Sequence, residues 1–264
     1  MSHSWPDRFH ITLGSRVVTA SIPRSPWRRH AVMHRWPAPT DPRAPWAGAL
    51  TALSTGLRAL TPLRRVSVTV ANAFLRYTVL RIPATLDPSE RNQFIAHKLR
   101  TRFGNTAQQW TARTCDTGAG GLCLVAVMPI ALIQELNTVL GPGGAHAMIR
   151  PALVPAFNAA RRALRTTSGW IVMLEAEHAV VGWLTNGHWI TIASRTLRDE
   201  TTAALLRVID RESLLNDVGA GAGDVYLLPG STTPEPLNGE DLRFRVHRLR
   251  HPAAAAGDDR ALAA

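Results

Sequence analysis

Apolar positions along the first seventy residues follow a period of two, switch to a period near four, and return to two. Phe9-His-Ile-Thr-Leu13, Arg16-Val-Val-Thr-Ala-Ser-Ile22 and Arg29-His-Ala-Val-Met-His-Arg35 have the β-branched content and partial alternation of strands, with turns at Gly14-Ser15 and Pro23 to Pro26. A proline-rich link, Pro37 to Pro45, precedes Leu50, Leu53, Leu57 and Leu60, spaced at three and four residues. That spacing predicts an amphipathic helix over 46–60, stopped by Pro62. Arg65-Val-Ser-Val-Thr-Val70 then alternates as a buried strand does. The order is β-β-β-α-β.

A second block opens with the strand-like Phe74 to Ile82. Asp87-Pro-Ser-Glu90 starts a helix with an acidic first turn, which ends at Gly104. Strands at 109–114 and 122–128 form a hairpin, a helix spans Ile130 to Leu140, a strand 146–153, and a further helix 155–164. A third block reads Trp170 to Leu174, Ala179 to Leu184, an Asn186-Gly187 turn, then Trp189 to Ala193. Asn-Gly between apolar runs is the strongest short-range hairpin signal. A helix over 200–215, with Leu205, Leu206, Val208 and Ile209 on its apolar side, leads to strands at Val225 to Leu228 and Leu242 to Leu249. The third block is again β-β-β-α-β. From His251 the Ala-rich end has no periodicity and is expected to be disordered.

Composition narrows the classes. The chain has 264 residues, with Lys+Arg 30 against Asp+Glu 19 and a formal charge of +11. Its length suffices to bury a core without disulfide or metal staples. Lys98 is the single lysine, so 30 − 1 leaves 29 arginines. That skew, with the Ala, Gly and Pro content, reads as compositional background. The arginines fall in short doublets and scattered singles, without the basic stripe and interleaved aromatics of a nucleic-acid surface, so no nucleic acid is expected as a partner. No apolar run reaches the ~18–20 residues of a membrane helix. Met1 to His10 carries no secretory signal, which points to a cytoplasmic protein whose membrane association is only indirect.

Candidate chemistry is sparse. Cys115 and Cys123 flank the turn-rich Asp116 to Gly121 and are read as a structural pair across a hairpin, ordinarily reduced in a cytosol. Gly219-Ala-Gly-Ala-Gly223 precedes a strand, whereas a dinucleotide loop follows one, so it reads as a connector. Asp199, Glu200, Asp210 and Glu212 read as the solvated face of a helix. His97, His146, His178 and His188 lack metal-ligand spacing. Ser21, Ser67 and Ser194 lack a nucleophile elbow. No catalytic residue and no metal ligand are assigned.

Val70-Ala-Asn-Ala-Phe-Leu-Arg-Tyr77, Arg102-Phe-Gly104 ahead of Trp110, and Ile149 to Asn158 ahead of Arg161-Arg162 resemble the cytoplasmic actin-like proteins of type IV pilus and type II secretion assembly platforms. The resemblance implies an α/β, actin-like fold over residues 8–250. Two ribonuclease-H-like β-β-β-α-β lobes, 8–72 and 169–250, would flank an inserted α+β subdomain with its connecting helix, 73–168, and precede the tail, 251–264. In an actin-like ATPase two Gly-containing hairpins, each following an Asp, grip phosphate and Mg²⁺, and a late Gly-Gly turn supports adenine. Here the matching residues are Gly14 and Ser15 with no carboxylate at Thr12 or Leu13, Glu175 with no glycine after it, and Gly230 with Ser231 where two glycines belong. A vestigial nucleotide site is the expectation, with neither ATP nor Mg²⁺ retained as cofactor. The resemblance also implies a groove beside the insertion that takes a peptide from an inner-membrane partner. Asn72, Phe74, Arg76 and Tyr77 are its candidate contacts.

Overall fold

The computed structural model describes residues 9–25, 28–41, 43–60, 66–116, 120–141, 147–197, 201–218, 223–230 and 244–249. They fall into two compact units: residues up to 74 with 128–152, and residues 75–127 with those from 153 onward. The expected tail at 251–264, Asp199, Glu200, His146 and Ser231 lie outside the described residues.

The chain starts as a meander of β1 (Phe9–Leu13), β2 (Val17–Ser25) and β3 (Arg28–Pro37), followed by α1 (Ala47–Leu57) and β4 (Val66–Val70). After a single 3₁₀ turn at Asn72–Phe74 it builds β5 (Arg76–Arg81), α2 (Pro88–Phe103), β6 (Trp110–Asp116) and β7 (Leu122–Pro129), then α3 (Ile130–Leu140) and β8 (Met148–Pro151). The first sheet has the order β3-β2-β1-β4-β8. Its meander pairs are antiparallel, while β1–β4 and β4–β8 are parallel. Ile11, Leu13, Val68 and Val70 from the sheet, Leu53 from α1, and Leu132 and Leu136 from α3 are buried. The four-residue step Leu132, Leu136, Leu140 is what makes α3 a helix with one apolar face.

The sheets therefore divide the chain differently from the expected 73–168 block. β8 joins the first sheet beside β4, and α3 packs on α1. A strand parallel to its neighbour needs a crossover, and α3 supplies it.

The remaining elements are α4 (Leu153–Leu164), β9 (Gly169–Glu175), β10 (His178–Thr185), β11 (His188–Thr196), α5 (Thr202–Asn216), β12 (Gly223–Leu227) and β13 (Phe244–Arg248). Their sheet runs β11-β10-β9-β12-β13, the order of the first sheet repeated. Trp170, Val172, Leu174, Ala179 and Val181 face Leu205 and Ile209 of α5, with Val225, Leu227 and Phe244 completing that core. Trp170 and Trp183 meet edge to face, with ring centroids 5.3 Å apart.

A three-stranded sheet, β5-β7-β6, belongs to the same unit as β9–β13. Ile95 and Leu99 of α2 cover Cys123, Val125 and Val127 of β7. α2 begins at a capping box: the Asp87 carboxylate accepts from Ser89 N at 2.7 Å and Glu90 N at 2.8 Å, while Glu90 Oε2 accepts from Asp87 N at 3.0 Å. The cysteines do not pair. Both are free thiols, Cys115 exposed and Cys123 buried. β6 turns its last four residues to solvent, so Cys115 points away from the core that holds Cys123. There Arg91 Nη2 approaches the Cys123 Sγ at 3.3 Å.

Gly56 of α1 lies under the indole of Trp36 of β3, where an added Cβ would stand 2.2 Å from the Trp36 Cε2. Gly56→Ala is expected to destabilise the fold by about 1–3 kcal/mol through overpacking. A fall in the urea midpoint at constant slope checks this, and an unchanged midpoint refutes it.

Candidate functional site

Parallel strands in both sheets end at the turns that the sequence marks for phosphate. The first turn, Gly14-Ser15-Arg16, joins β1 to β2, with Leu13 paired to Val18. A Cβ on Gly14 would lie 2.4 Å from the Val17 carbonyl oxygen, so closure of the hairpin itself requires the glycine. Thr12 is exposed and Leu13 buried, and neither brings a carboxylate for a hydrated cation.

The second turn is tighter. Glu175 pairs with His178, leaving Ala176 and Glu177 as a two-residue loop. Glu177 sits at φ 54, a left-handed conformation that glycine adopts readily and other residues adopt at a cost. Its carbonyl accepts from Leu197 N at 2.9 Å. Phosphate cradles are built from converging backbone amides with no side chain in the way. Here the loop carries the Glu177 side chain, and Glu175, also acidic, ends the strand beside it. Gly230, at φ 83, follows β12, the parallel neighbour of β9, and Leu228 N donates to Val172 O at 2.8 Å. Glu175 and the Gly230 turn thus share the carboxyl edge of one sheet. Among the described residues no three His, Cys, Asp or Glu side chains come together as a metal site.

The four residues marked for partner binding divide between the units. Asn72 and Phe74, in the 3₁₀ turn, are buried in one. Tyr77 and Arg76, on β5, belong to the other, where Tyr77 is buried and Arg76 half-buried. Burial pushes the Tyr77 phenol well above its usual range, and the nearby Glu175 charge adds to this. A residue marked for nucleotide and one marked for a partner are therefore neighbours.

Around Arg76 lies a group of charges that the sequence does not announce. β5 runs beside β11, whose Arg195 donates through Nε to Glu212 Oε1 at 2.7 Å. Glu212, on α5, is 2% exposed. The expected solvated helix face thus fails at this residue. Glu212 lies seven positions beyond Leu205 and three beyond Ile209, on the face that α5 buries, while Leu214 and Leu215 are exposed. Asn216 Nδ2 donates to the Glu212 carbonyl at 2.8 Å, and Thr191 Oγ1 donates to Asn216 Oδ1 at 3.0 Å. Arg102 of α2 is depressed by burial and by Arg195, with Glu212 acting in the opposite sense. Arg76 is likewise depressed, by burial first and then by Arg195. Arg195 and Arg102 thus act on one buried carboxylate, and Arg76 feels the Arg195 charge.

On β10 and β11, the face opposite Arg195 carries His178 and Ser194, since Ser194 stands opposite Val180 and neighbouring residues alternate. His178 Nε2 and Ser194 Oγ are buried without a hydrogen-bond partner among the described residues. Burial, helped by the Arg76 charge, holds the imidazole down at about 4 from its ordinary 6.5.

Two outcomes follow. Glu212→Ala strips Arg195 of its counter-charge and is expected to cost about 2–4 kcal/mol of stability, measurable by denaturant unfolding; a loss below half a kcal/mol contradicts a structural role for the pair. His178 is neutral when folded, so the unfolded chain binds its proton first on acidification. Stability is fully present above pH 6.5 and falls toward pH 4, by up to about 3 kcal/mol from this group. His178→Asn should flatten that limb of the stability–pH curve, and an unaltered limb would assign the acid sensitivity elsewhere.

No protein-family model matches the sequence, and no curated protein sequence matches it. Solved structures are similar to it in fold. One is the PilM–PilN type IV pilus biogenesis complex, at TM-score 0.62 and 12% identity over 85% of this chain and 82% of that one. Another is the cytoplasmic domain of EpsL, an inner membrane component of the Vibrio cholerae type II secretion system, at TM-score 0.55 and 12% identity over 92% and 89%. A third is a Bacteroides thetaiotaomicron protein with an actin-like ATPase fold and unknown function, at TM-score 0.59 and 10% identity over 86% and 84%. This chain accordingly has the actin-like fold, two lobes of repeated sheet order with an α+β insertion.

Proposed function

We propose that this chain is a non-catalytic actin-like scaffold that binds a partner protein, the cytoplasmic tail of an inner-membrane protein, in a pilus-like or type II secretion-like assembly machine. The observation that carries the proposal is the Ala176–Glu177 turn. It sets a left-handed glutamate, next to the acidic end of β9 at Glu175, where a phosphate grip needs open backbone amides. The fold it shares with the PilM–PilN complex and with the EpsL cytoplasmic domain supports a place among such machines. No helix among the described residues is long and apolar enough to cross a membrane, which accords with attachment through a partner. Of the four residues marked for the partner, Arg76 is the one proposed to touch it, being half-buried where the other three are buried. Asn72, Phe74 and Tyr77 are buried and act as supports for the backbone on either side. Gly14, Ser15, Glu175, Gly230 and Ser231 remain, on this reading, the relics of a nucleotide site.

Calorimetry with Mg²⁺-ATP is expected to show no binding at submillimolar concentration. Submillimolar affinity that disappears in Glu175→Ala would overturn the non-catalytic reading. Arg76→Ala is expected to weaken binding of a co-encoded membrane protein's cytoplasmic tail by about tenfold at preserved fold. Unchanged affinity would remove Arg76 from the interface.

A further inference from the structure

A groove of about 740 Å³ lies between α2 and β6, and none of the residues marked for nucleotide or partner lines it. Five consecutive strand residues, Trp110 to Thr114, line it. Successive strand residues face opposite sides of a sheet, so a groove that touches all five runs along the strand's edge, where the backbone groups are. The sheet order β5-β7-β6 makes β6 terminal, so among the described residues no strand pairs with its outer side. The facing wall is a helical stripe from α2 that includes Ile95, Ala96 and Leu99. Ile95 and Leu99 belong to the apolar core under α2, and Trp110, half-buried and packed on Phe103 with centroids 5.5 Å apart, closes one end.

The charge of the groove is one-sided. Arg100 and Arg113 line it, both exposed and neither in an ion pair among the described residues, and no acidic residue lines it. Natural proteins usually blunt an open edge with a charge, a proline or a covering element. Here the helix that could cover the edge stands off by the width of a groove, and the charges at its rim are of a single sign.

From this juxtaposition we infer that β6 is a peptide-docking edge. An extended acidic segment of a partner protein adds as a fourth strand beside β6. It forms backbone hydrogen bonds to the open edge, lays apolar side chains against Ala96 and Trp110, and sets its carboxylates on Arg100 and Arg113. Five strand residues span about 16 Å, so the groove takes about five residues of peptide. The inference goes beyond the scaffold role proposed above, because an open, basic strand edge accepts such a peptide whatever machine the chain serves.

The test uses the purified chain and a blocked synthetic peptide of alternating valine and glutamate, read by fluorescence anisotropy. Saturable binding is expected. It should be lost when alternate peptide amides are N-methylated, which removes the strand-forming donors while keeping the side chains. Arg100→Glu combined with Arg113→Glu should weaken the Val/Glu peptide by about tenfold and admit a Val/Lys peptide instead. Arg76→Ala should leave it unchanged, which separates this site from the contact proposed for the scaffold. Absence of binding, binding indifferent to N-methylation, or a preference for oligothymidylate with steep salt dependence would each overturn the inference.

Discussion

A parallel pair of strands cannot be closed by a hairpin, and such a pair stands at the centre of each five-stranded sheet, β1 with β4 and β9 with β12. Each pair forces the chain to leave the sheet, cross it as a helix, and return. α1 makes that crossing in one lobe and α5 in the other. The same need recurs at β8, which reaches β4 only through α3. Once these crossings exist, the strand order follows, the helices have apolar sheet faces to cover, and the turns after β1, β9 and β12 are left at the carboxyl edges. Open α/β sheets bind their ligands at those edges. The edges persist here, with Gly14, Glu175 and Gly230 at them.

Beside the turn at Glu175 lies a buried electrostatic group. Glu212 is buried by the helical repeat of α5 and is tolerable there because Arg195 and Asn216 meet its polar atoms. A buried carboxylate so paired contributes little net stability against an apolar substitute, but losing one member of the pair is costly. Arg102 adds positive potential around it and Arg76 feels the Arg195 charge, while burial first, and then the Arg76 charge, keeps His178 neutral. The excess of arginine thus has a local consequence that composition alone does not reveal: a patch where strand edge, helix and insertion meet within one unit.

Much of the architecture was legible because it rests on local regularities. Asp87, Pro88 and Glu90 announce α2, and the structure returns a complete capping box there. Leu132, Leu136 and Leu140 announce α3 to the residue. Asn186-Gly187 announces the β10–β11 turn, where Asn186 at φ 50 and Gly187 at φ 76 adopt the left-handed pair of such hairpins. The assignment of β8 was not legible, because four residues carry no record of which strand they will lie beside. Nor was the separation of Cys115 from Cys123. Alternation places a side chain in or out only once it is known which face the helix covers.

By itself the sequence determined, to within a few residues, where the helices and strands lie, and that two similar β-β-β-α-β units recur. These follow from spacing and residue type, which act over one or two turns of chain. Tertiary structure decided which sheet received β8, that Glu212 lies inside and Leu214 outside, that Tyr77 and Arg76 stand beside Glu175 and His178, and that β6 ends its sheet with an open edge. Those outcomes depend on contacts between residues far apart in sequence. Burial and charge there are properties of the assembled face, and no single segment carries them.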